Sequence, residues 1–313
     1  MSTTTAMTTP AEGGAVREAA AEPQSLRAGK KDWRGWLFVG PFVVLFALFL
    51  VWPMIHGLYL SFTGESLTGA NGQLIGFDNY AEAFSDPVMW HSLWNTVWFT
   101  VLSTIPLVVV ALGLALLVHQ VPGQWFWRLS FFMPYLLAST VVAQFWIWMY
   151  NPQLGLVNDF LGNFGVEPIA WLQDESWAMI SVVVTTLWWT IGFNFLLYLA
   201  AIQNIPEQQF EAAALDGASR IKQAFRITIP QLWPTTVLVL ILQVLASLKV
   251  FDQIYMMTNG GPAGATRPIV QYVFEVGFTG YRFGYASAIS YIFFALIVLV
   301  SLVQFRITNR RNG

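Results

Sequence analysis

The chain has 313 residues, of which 56% are hydrophobic and only 10% are charged. Soluble domains carry about 25% charged residues, so this composition indicates a protein whose main solvent is lipid. The net charge of -2 gives no reason to expect nucleic acid as a partner. The absence of cysteine excludes disulfides, thiolate metal sites and cysteine nucleophiles. The three histidines lie far apart in sequence, so we expect neither a metal nor a cofactor.

The first 29 residues form a polar leader rich in Thr, Ala, Glu and Pro. We expect this leader to be disordered, because it cannot bury enough apolar surface to offset the entropy of ordering. A basic cluster and an apolar stretch from Trp36 to about Phe62 follow. This stretch is longer than the roughly 7–15 residues of a signal-peptide core, and no small-x-small cleavage site ends it. We therefore expect an uncleaved first membrane span.

Six apolar stretches have the ~20 residues needed to cross a bilayer as a helix. They are residues 36–60, 95–118, 129–150, 177–202, 232–257 and 284–303. Within lipid each backbone group must be paired, and the stretches lack the alternation of barrel strands. We therefore predict an all-α integral membrane bundle of six transmembrane helices. Pro53, Pro106 and Pro134 are expected to kink these helices without breaking them.

The chain is predicted to divide according to this pattern. We expect a leader (1–29), a first transmembrane helix with an outer segment (30–92), a transmembrane domain (93–306) and a tail (307–313). Most of the 15 Lys and Arg residues lie in the two tails and in the 119–128 and 203–231 loops, whereas acidic residues concentrate in the other connections. Because positive loops remain inside, both termini are predicted to be cytoplasmic.

Two connections between spans are longer than a turn requires. In the outer segment 61–93, apolar and aromatic residues recur at spacings of three and four, which predicts a short helix in the membrane interface. In the cytoplasmic loop 203–231, Pro206 suits a first helical turn and Gly217 is placed to end the helix. A second helical stretch, 220–227, is predicted to precede the fifth span. The alanine-rich surface of this loop would allow close approach by another protein.

This cytoplasmic loop contains a motif of three parts at fixed spacings, namely the tripeptide 211–213, a glycine at 217 and the run 227–230, which ends in a proline. The residues concerned are Glu211, Ala212, Ala213, Asp216, Gly217, Ile227 and Pro230. Their spacing resembles the EAA motif of ABC-importer permeases, with Ile229 where leucine is usual. In that family the loop is the coupling helix that sits in a cleft of the nucleotide-binding subunit. The resemblance therefore implies an ATP-binding subunit dimer, a second homologous permease and an extracytoplasmic solute-binding protein as partners.

Other segments narrow the resemblance to one branch of that family. Residues 76–80 with 95–96, residues 132–134 with 151–152, and residues 258–262 resemble the permeases of maltose and glycerol phosphate. The chain is similar to the larger maltose subunit but lacks its large periplasmic insertion. The resemblance implies a sugar substrate, such as a disaccharide or oligosaccharide, with glycerol phosphate or another small solute as the alternative. It also implies that Gly260, Gly261 and Pro262 dock the binding protein.

Polar residues within spans are costly in lipid and are expected to face the bundle interior. The candidates for the substrate path, together with two aromatic residues that could contact a sugar, are Gln144, Asn194, Gln243, Lys249, Phe251, Asp252 and Tyr255. Lys249 and Asp252 are three residues apart and are predicted to share one face of the fifth helix. Lys249 could equally extend its amino group to the membrane interface.

Two other classes of protein are disfavoured by the sequence. A secondary transporter would need inverted repeats and carboxylates near mid-membrane, and neither is evident. An intramembrane enzyme would need clustered catalytic acids or histidines at depth, and none is visible. The chain has no GxxxxGK[ST] loop to hold ATP. We therefore predict a transport subunit without enzymatic activity of its own, served by a separate ATPase.

Overall fold

The computed structural model describes residues 34–66 and 72–309 of the chain. The predicted leader, the basic residues Arg27, Lys30 and Lys31, and the end of the tail lie outside these ranges. Within the described ranges, the regular structure is helical apart from an isolated bridge between Thr63 and Leu74. The prediction of an all-α protein is confirmed.

The chain divides into two compact units, residues 1–53 and 54–313. In the first unit, α1 (Arg34–Phe46) continues into a π-helical turn (Ala47–Val51) and then into the start of α2 (Trp52–Leu60). None of the side chains in the most apolar window of Leu37–Leu60 is buried. A helix with such a continuous exposed apolar surface requires lipid or another protein around it.

The second unit contains the remaining helices. They are α3 (Asp78–Ser85), α4 (Pro87–Val118), α5 (Gln124–Phe132), α6 (Ser139–Met149), α7 (Leu156–Gly162), α8 (Glu175–Gln203), α9 (Glu207–Leu215), α10 (Arg220–Gln223), α11 (Ile229–Gln231), α12 (Trp233–Leu248), α13 (Asp252–Met257), α14 (Ile269–Phe274) and α15 (Phe283–Asn309). A 3₁₀ turn (Met133–Leu136) follows α5, and π-helical turns follow α10 (Ala224–Thr228) and α14 (Glu275–Thr279).

Four helical segments in the described residues are long and apolar enough to cross a membrane. They have 24, 32, 29 and 26 residues and contain α1–α2, α4, α8 and α15. Two helix pairs meet the same criteria only when taken together, and they are bent by 98° before α6 and by 64° before α12. Six crossings result when each bent pair is counted as one span, as the sequence predicted.

The third crossing departs from the prediction, because it is broken where only a kink was expected. Pro134 lies in the 3₁₀ turn, and Leu137 and Ala138 after it are extended. Proline removes one helical hydrogen bond and its ring clashes with the preceding turn. The indole nitrogen of Trp189 donates to the carbonyl oxygen of Leu137 at 3.2 Å, which satisfies an acceptor exposed by the break. Pro106, in contrast, lies within the uninterrupted α4.

The fifth crossing also differs from the prediction, which extended it to residue 257. Helix α12 ends at Leu248, and Phe251 has φ -149° and ψ -63°. Helix α13 then begins at Asp252. Lys249 and Asp252 therefore lie on opposite sides of an unwound segment, and the expectation that they share a helical face is wrong.

The outer segment 61–93 is divided between two helices. Helix α3 is the short helix that the sequence predicted, but α4 begins at Pro87, eight residues before the expected start at Asn95. Asp86 caps α4 by accepting from the amide of Val88 at 2.8 Å, and Pro87 suits the first turn. The apolar residues 88–94 thus belong to the first turns of a long helix.

Helix α4 packs along α8 and α12, and this arrangement forms most of the core. One buried cluster includes Phe99, Met179 and Ile254, near the end of the bundle where α8 begins. Another includes Phe195 and Tyr198, towards the end where α8 finishes. The space between these clusters along α8 is where the polar side chains of the span gather.

Candidate functional site

The elbow, which we define as residues 203–231, has the helix–glycine–helix form expected from the sequence. Helix α9 ends at Leu215, and Gly217 follows it with a φ of +75°, which favours glycine. The amide of Ala218 donates to the carbonyl of Ala213 at 2.9 Å, and the amide of Gly217 donates to Ala214 at 3.0 Å. This pair of hydrogen bonds is a Schellman motif. The glycine therefore fixes the direction in which the chain leaves α9.

Side-chain bonds hold the elbow together and to the bundle. The amide of Gln231 donates to Gln209 at 2.6 Å, and Gln223 donates to the carbonyls of Phe210 and Ala218. The ring of Phe210 lies 6.3 Å from that of His119, at the end of α4. Helix α9 therefore contacts the end of α4 and is joined through the chain to the end of α8.

The outer surface of the elbow is open to a partner. Glu211, Ala212, Asp216 and Pro230 are exposed, whereas Ala213 and Ile227 are half-buried. Leu215 is 90% exposed, and sequence reasoning did not single it out. An apolar side chain so fully exposed at the end of the elbow's first helix is accessible to a partner.

A cavity of about 770 Å³ lies beneath the elbow. It is lined by polar side chains of both signs, including His119, Glu207, Arg220 and Gln223. Burial lowers the pKa of the His119 imidazole, and the Glu207 carboxylate opposes part of that shift. The lining includes residues of α9 and residues at the ends of α4 and α8.

A second cavity, of about 270 Å³, lies within the bundle between α4, α8 and the α12–α13 break. Five of the predicted path residues line it, namely Asn194, Gln243, Lys249, Phe251 and Asp252. Two do not. Gln144 is exposed on α6, and Tyr255 stacks on the lining residue Phe251, with ring centres 5.2 Å apart, without lining the cavity itself.

A line of buried hydrogen bonds crosses the floor of this cavity. The amide of Asn194 donates to Gln243 at 3.0 Å, and Gln243 donates to the hydroxyl of Ser247 at 3.0 Å. Ser247 and Ser103 lie 3.0 Å apart, oxygen to oxygen. These bonds join α8, α12 and α4. They explain why polar residues are retained at this depth, where unpaired groups are expensive.

Sequence reasoning missed several residues of the cavity wall. They are Phe99, Tyr135, Thr186, Thr190, Phe193, Ser247 and Gln253. Thr186, Trp189, Thr190 and Phe193 follow one another at spacings of three, one and three on α8, so they share a helical face with Asn194. This spacing was a readable signal. The wall combines aromatic faces and neutral hydrogen-bonding groups with the charged side chains of Lys249 and Asp252.

Lys249 and Asp252 are the charged residues of this cavity. Both are exposed, and within the described ranges neither makes an ion pair. Lys249 caps the carboxyl end of α12 and Asp252 begins α13. Each charge therefore complements the dipole of its own helix end.

The turn at Gly260, Gly261 and Pro262, predicted to dock a binding protein, packs against its own chain. Gly260 is buried, and a side chain there would meet Gln271 at 2.8 Å. The amide of Asn95 donates to the carbonyl of Gly264 at 2.9 Å, which ties the turn to α4. These contacts give the turn a structural role within the chain. The docking of a binding protein by Gly260, Gly261 and Pro262 stays a prediction.

A polar clasp near the start of α4 joins three helices. Asp86 accepts hydrogen bonds from Tyr272 at 2.5 Å and Tyr285 at 2.7 Å, and Arg282 forms a bidentate pair with Glu82. Burial would raise the pKa of Asp86, but hydrogen bonds from the two tyrosines and the backbone outweigh it, so the pKa lies below its ordinary value. The carboxylate thus stays charged and keeps α14 and α15 against α4.

A bundle of membrane-crossing helices with an internal polar cavity and an exposed elbow is the arrangement expected of a transport subunit. Residues 87–312 match the family described as "Binding-protein-dependent transport system inner membrane component". The chain belongs to this family and is a membrane-spanning permease subunit of an importer. The predicted resemblance to ABC-importer permeases is confirmed.

Individual relatives agree with the family assignment. The chain is 36% identical over 278 residues to the sulfoquinovosyl glycerol transport system permease protein SmoG of Agrobacterium fabrum, covering 88% of this chain and 90% of that one. It is 34% identical over 281 residues to the sn-glycerol-3-phosphate transport system permease protein UgpA of Salmonella choleraesuis, covering 88% and 94%.

A solved structure with the same fold is a bacterial ABC transporter involved in the import of the acidic polysaccharide alginate. A chain of that transporter superposes with a TM-score of 0.80 at 25% identity, covering 89% of this chain and 96% of that chain. A second structure of the alginate transporter, in complex with a periplasmic protein bound to an alginate pentasaccharide, matches with a TM-score of 0.79 and 26% identity.

Proposed function

We propose that the chain forms half of the translocation path of an ATP-driven importer for a sugar or sugar-like solute. The observation that carries the proposal is the cavity of about 270 Å³ in the bundle. Its wall presents Trp189 and Phe251 beside Thr190, Asn194 and Gln243, and aromatic faces flanked by neutral hydrogen-bonding groups suit the two kinds of surface of a sugar ring. The relatives that import a sulfoquinovosyl glycerol, a glycerol phosphate and alginate support this class of solute.

The elbow supplies the coupling in this proposal. Helix α9, with Glu211, Ala212, Asp216 and the exposed Leu215, would seat in a separate ATP-binding subunit, and Gly217 would fix its angle to α10. Because Phe210 contacts His119 at the end of α4, closure of the ATPase dimer would move α4 and α8 together. A second homologous permease would complete the path, and a solute-binding protein would deliver the substrate on the other side.

The orientation follows from the same arrangement. The elbow and the basic tails are proposed to be cytoplasmic, as the distribution of Lys and Arg predicts. Helix α8 has 29 residues and is therefore about 43 Å long. The connection before α8 is consequently on the outer side, at the opposite membrane surface from the elbow.

The dependence on ATP is tested by inactivating the proposed partner. In cells that carry all subunits of the importer, replacing the phosphate-binding lysine of the ATPase is expected to abolish uptake of a radiolabelled sugar substrate. The permease itself should remain inserted at normal levels, measured by immunoblot of membranes. Uptake that persists and instead collapses with a protonophore would contradict an ATP-driven function and favour a gradient-driven transporter.

The cavity assignment is tested with two adjacent tryptophans. Trp189 lines the cavity, whereas Trp188 stacks on Phe145 with ring centres 5.9 Å apart, outside it. Trp189→Ala is expected to lower the maximal uptake rate by roughly tenfold, since a lost aromatic contact costs about 1 kcal/mol beyond its buried area. Trp188→Ala should retain most of the rate. Equal losses in the two variants, with equal protein levels, would argue against the cavity as the substrate path.

A further inference from the structure

The second helix of the elbow has two faces with different surroundings. This helix, residues 220–231, comprises α10, the π-helical turn that follows it and α11, and we call it the second elbow helix. One face, which includes Gln223 and Thr228, lines the cavity beneath the elbow. The other face presents Ile221 and Phe225, which are 73% and 67% exposed and lie one helical turn apart. Within the described part of the chain, these two apolar side chains therefore remain largely uncovered.

Two basic residues lie on the same exposed face. Lys222 and Arg226 directly follow Ile221 and Phe225 in the sequence and are also exposed. Among the described residues, neither forms an ion pair. The sequence has no acidic residue from position 217 to position 251, so no neighbour along the chain offsets their charge. The exposed face is thus apolar and positively charged, and it suits a partner that is apolar and anionic.

The position of the second elbow helix places this face at a membrane surface. Only Leu232 separates the helix from α12, and the two helices are bent by 64° relative to each other. Because α12 crosses the membrane, the second elbow helix lies closer to the membrane plane than to the membrane normal. Trp233, the first residue of α12, is 41% exposed, and tryptophan is enriched at the membrane–water interface. The exposed apolar side chains of the helix can therefore reach the lipid headgroup region.

The charges of the elbow distinguish lipid from the ATPase as the partner of this face. The exposed surface of α9 and its C-cap carries Glu211 and Asp216 beside Ala212, so it is acidic, whereas the exposed face of the second elbow helix is basic. A protein surface that complements one of these charges repels the other. Helices with Lys and Arg beside large apolar residues bind at the surface of anionic membranes. The two helices of the elbow thus offer surfaces for two different partners.

We infer that the exposed face of the second elbow helix binds anionic phospholipid headgroups at the inner surface of the membrane. Lys222 and Arg226 bind the phosphates, and Ile221 and Phe225 enter the boundary between the headgroups and the acyl chains. This inference rests on the proposed function for the side of the membrane on which the elbow lies. It adds the lipid as a partner that takes part in coupling.

Hydrogen bonds link this lipid-facing helix to the first helix of the elbow. The side-chain amide of Gln223 donates to the carbonyl of Phe210 in α9 at 3.4 Å and to that of Ala218 at 3.2 Å. The side-chain amide of Gln231 donates to Gln209, also in α9, at 2.6 Å. A second elbow helix that is fixed by lipid therefore also fixes α9, and we expect coupling to the ATPase to depend on the charge of the membrane.

The lipid requirement is tested with the complete importer in proteoliposomes of phosphatidylcholine that contain rising fractions of phosphatidylglycerol. ATP-driven uptake by the wild type is expected to increase with this fraction. Lys222→Gln combined with Arg226→Gln should raise the fraction at half-maximal uptake at least about threefold, because each basic residue contributes to attachment at an anionic surface. An unchanged fraction in this variant, or wild-type uptake that does not respond to phosphatidylglycerol, would overturn the lipid dependence of coupling.

Two control variants show whether charge and position matter in this experiment. Lys222→Arg combined with Arg226→Lys keeps both charges and should behave as the wild type does. Arg306→Gln removes an exposed charge at the end of α15 and should leave the half-maximal fraction unchanged. Equal shifts in the Arg306 variant and in the double glutamine variant would argue for a general effect of net charge and against the second elbow helix.

A photoreactive probe identifies the occupant of the exposed face directly. Benzoylphenylalanine replaces Phe225 in one variant of the importer and Leu215, at the end of α9, in another. Irradiation in vesicles that contain phosphatidylglycerol is expected to attach phospholipid at position 225, detected by mass spectrometry of the permease, and the ATPase subunit at position 215. Attachment of position 225 to the ATPase subunit or to the second permease, or the absence of a lipid adduct there, would overturn the inference.

The two probe positions keep this inference separate from the proposed function. A lipid adduct at position 225 without an ATPase adduct at position 215 would contradict the coupling role of α9 and leave the lipid contact intact. ATP-driven uptake with ATPase adducts at both positions would support the proposed function and refute only the lipid contact.

Discussion

Replacing Gly192 with alanine is expected to be among the most damaging single changes in this chain. A Cβ atom at this position would lie 2.0 Å from the carbonyl oxygen of Phe131 and 2.7 Å from the Cα atom of Phe132. Both obstacles are backbone, so no side-chain rotation relieves the clash. Helix α8 and the end of α5 must separate, at a cost of about 1–3 kcal/mol or more for overpacking.

The effect should extend to transport, because the displaced segment leads directly into the break between α5 and α6. Gly192→Ala is expected to lower the thermal unfolding midpoint of the detergent-solubilised importer and to reduce uptake severely. Gly113→Ala is the matched control. Gly113 also lies within a membrane helix, but nothing is within 4 Å of its added Cβ, so alanine there should be neutral or slightly stabilising. Identical midpoints for the two variants would show that the close approach at Gly192 is absent.

Gly217→Asp is expected to abolish uptake while leaving the permease inserted and folded. The added Cβ has no neighbour within 4 Å, so the bulk of the side chain is tolerated. The residue must nevertheless keep a φ near +75°, which costs on the order of 1 kcal/mol for a residue other than glycine. The new carboxylate also lies beside Asp216 and the negative end of α9, an unfavourable place for an anion.

Two controls separate backbone conformation, charge and position in this experiment. Gly217→Asn accepts a positive φ more readily and lacks the charge, so it should retain more uptake than the aspartate variant. Gly123→Asp places the same side chain at a glycine with φ +76° and open space, in the neighbouring loop before α5, and should retain uptake. Undiminished uptake by stably inserted Gly217→Asp protein would contradict the coupling role of the elbow.

The elbow could be predicted from the sequence because its form depends on local signals. Pro206 at the start of α9, acidic residues in the first turn and Gly217 at the end act over a few residues. The structure gives the expected helix, the left-handed glycine and the following helix. Leu215 was missed because the sequence does not show which apolar residue of a short amphipathic helix remains exposed.

The broken crossings could not be predicted, because the determinants lie far apart in sequence. A proline permits either a kink or a break, and the outcome at Pro134 depends on Trp189, which satisfies the carbonyl of Leu137, and on Gly192, which gives α5 room to approach α8. The end of α12 at Leu248 could not be predicted either, because the sequence from Lys249 to Met257 contains no glycine or proline to mark it. Span counting detects apolar length, and it does not detect where a helix unwinds inside a span.

Only part of the candidate path could be predicted, because the position of its other residues depends on contacts between segments that are far apart in sequence. Asn194 and Gln243 are recognisable alone, as amides within apolar runs. Thr186 and Thr190 are not, because threonine hydroxyls in membrane helices commonly bond to a carbonyl one turn earlier and so need no partner from the cavity. Both do so here, to Val182 and Thr186 respectively. Their position in the wall becomes clear only when α8 is set beside the α12–α13 break.

The hydrogen bonds from Asn194 through Gln243 and Ser247 to Ser103 have a consequence for how a path can open. They fasten three helices to one another at the depth where a solute would have to pass, and separating these helices would leave amides and hydroxyls unpaired in a nonpolar medium. We expect this half of the importer to rotate as a rigid body. The path would then open at the interface between the two permeases. The residues of each permease at this interface would contact the solute in one state and the other permease in the alternate state.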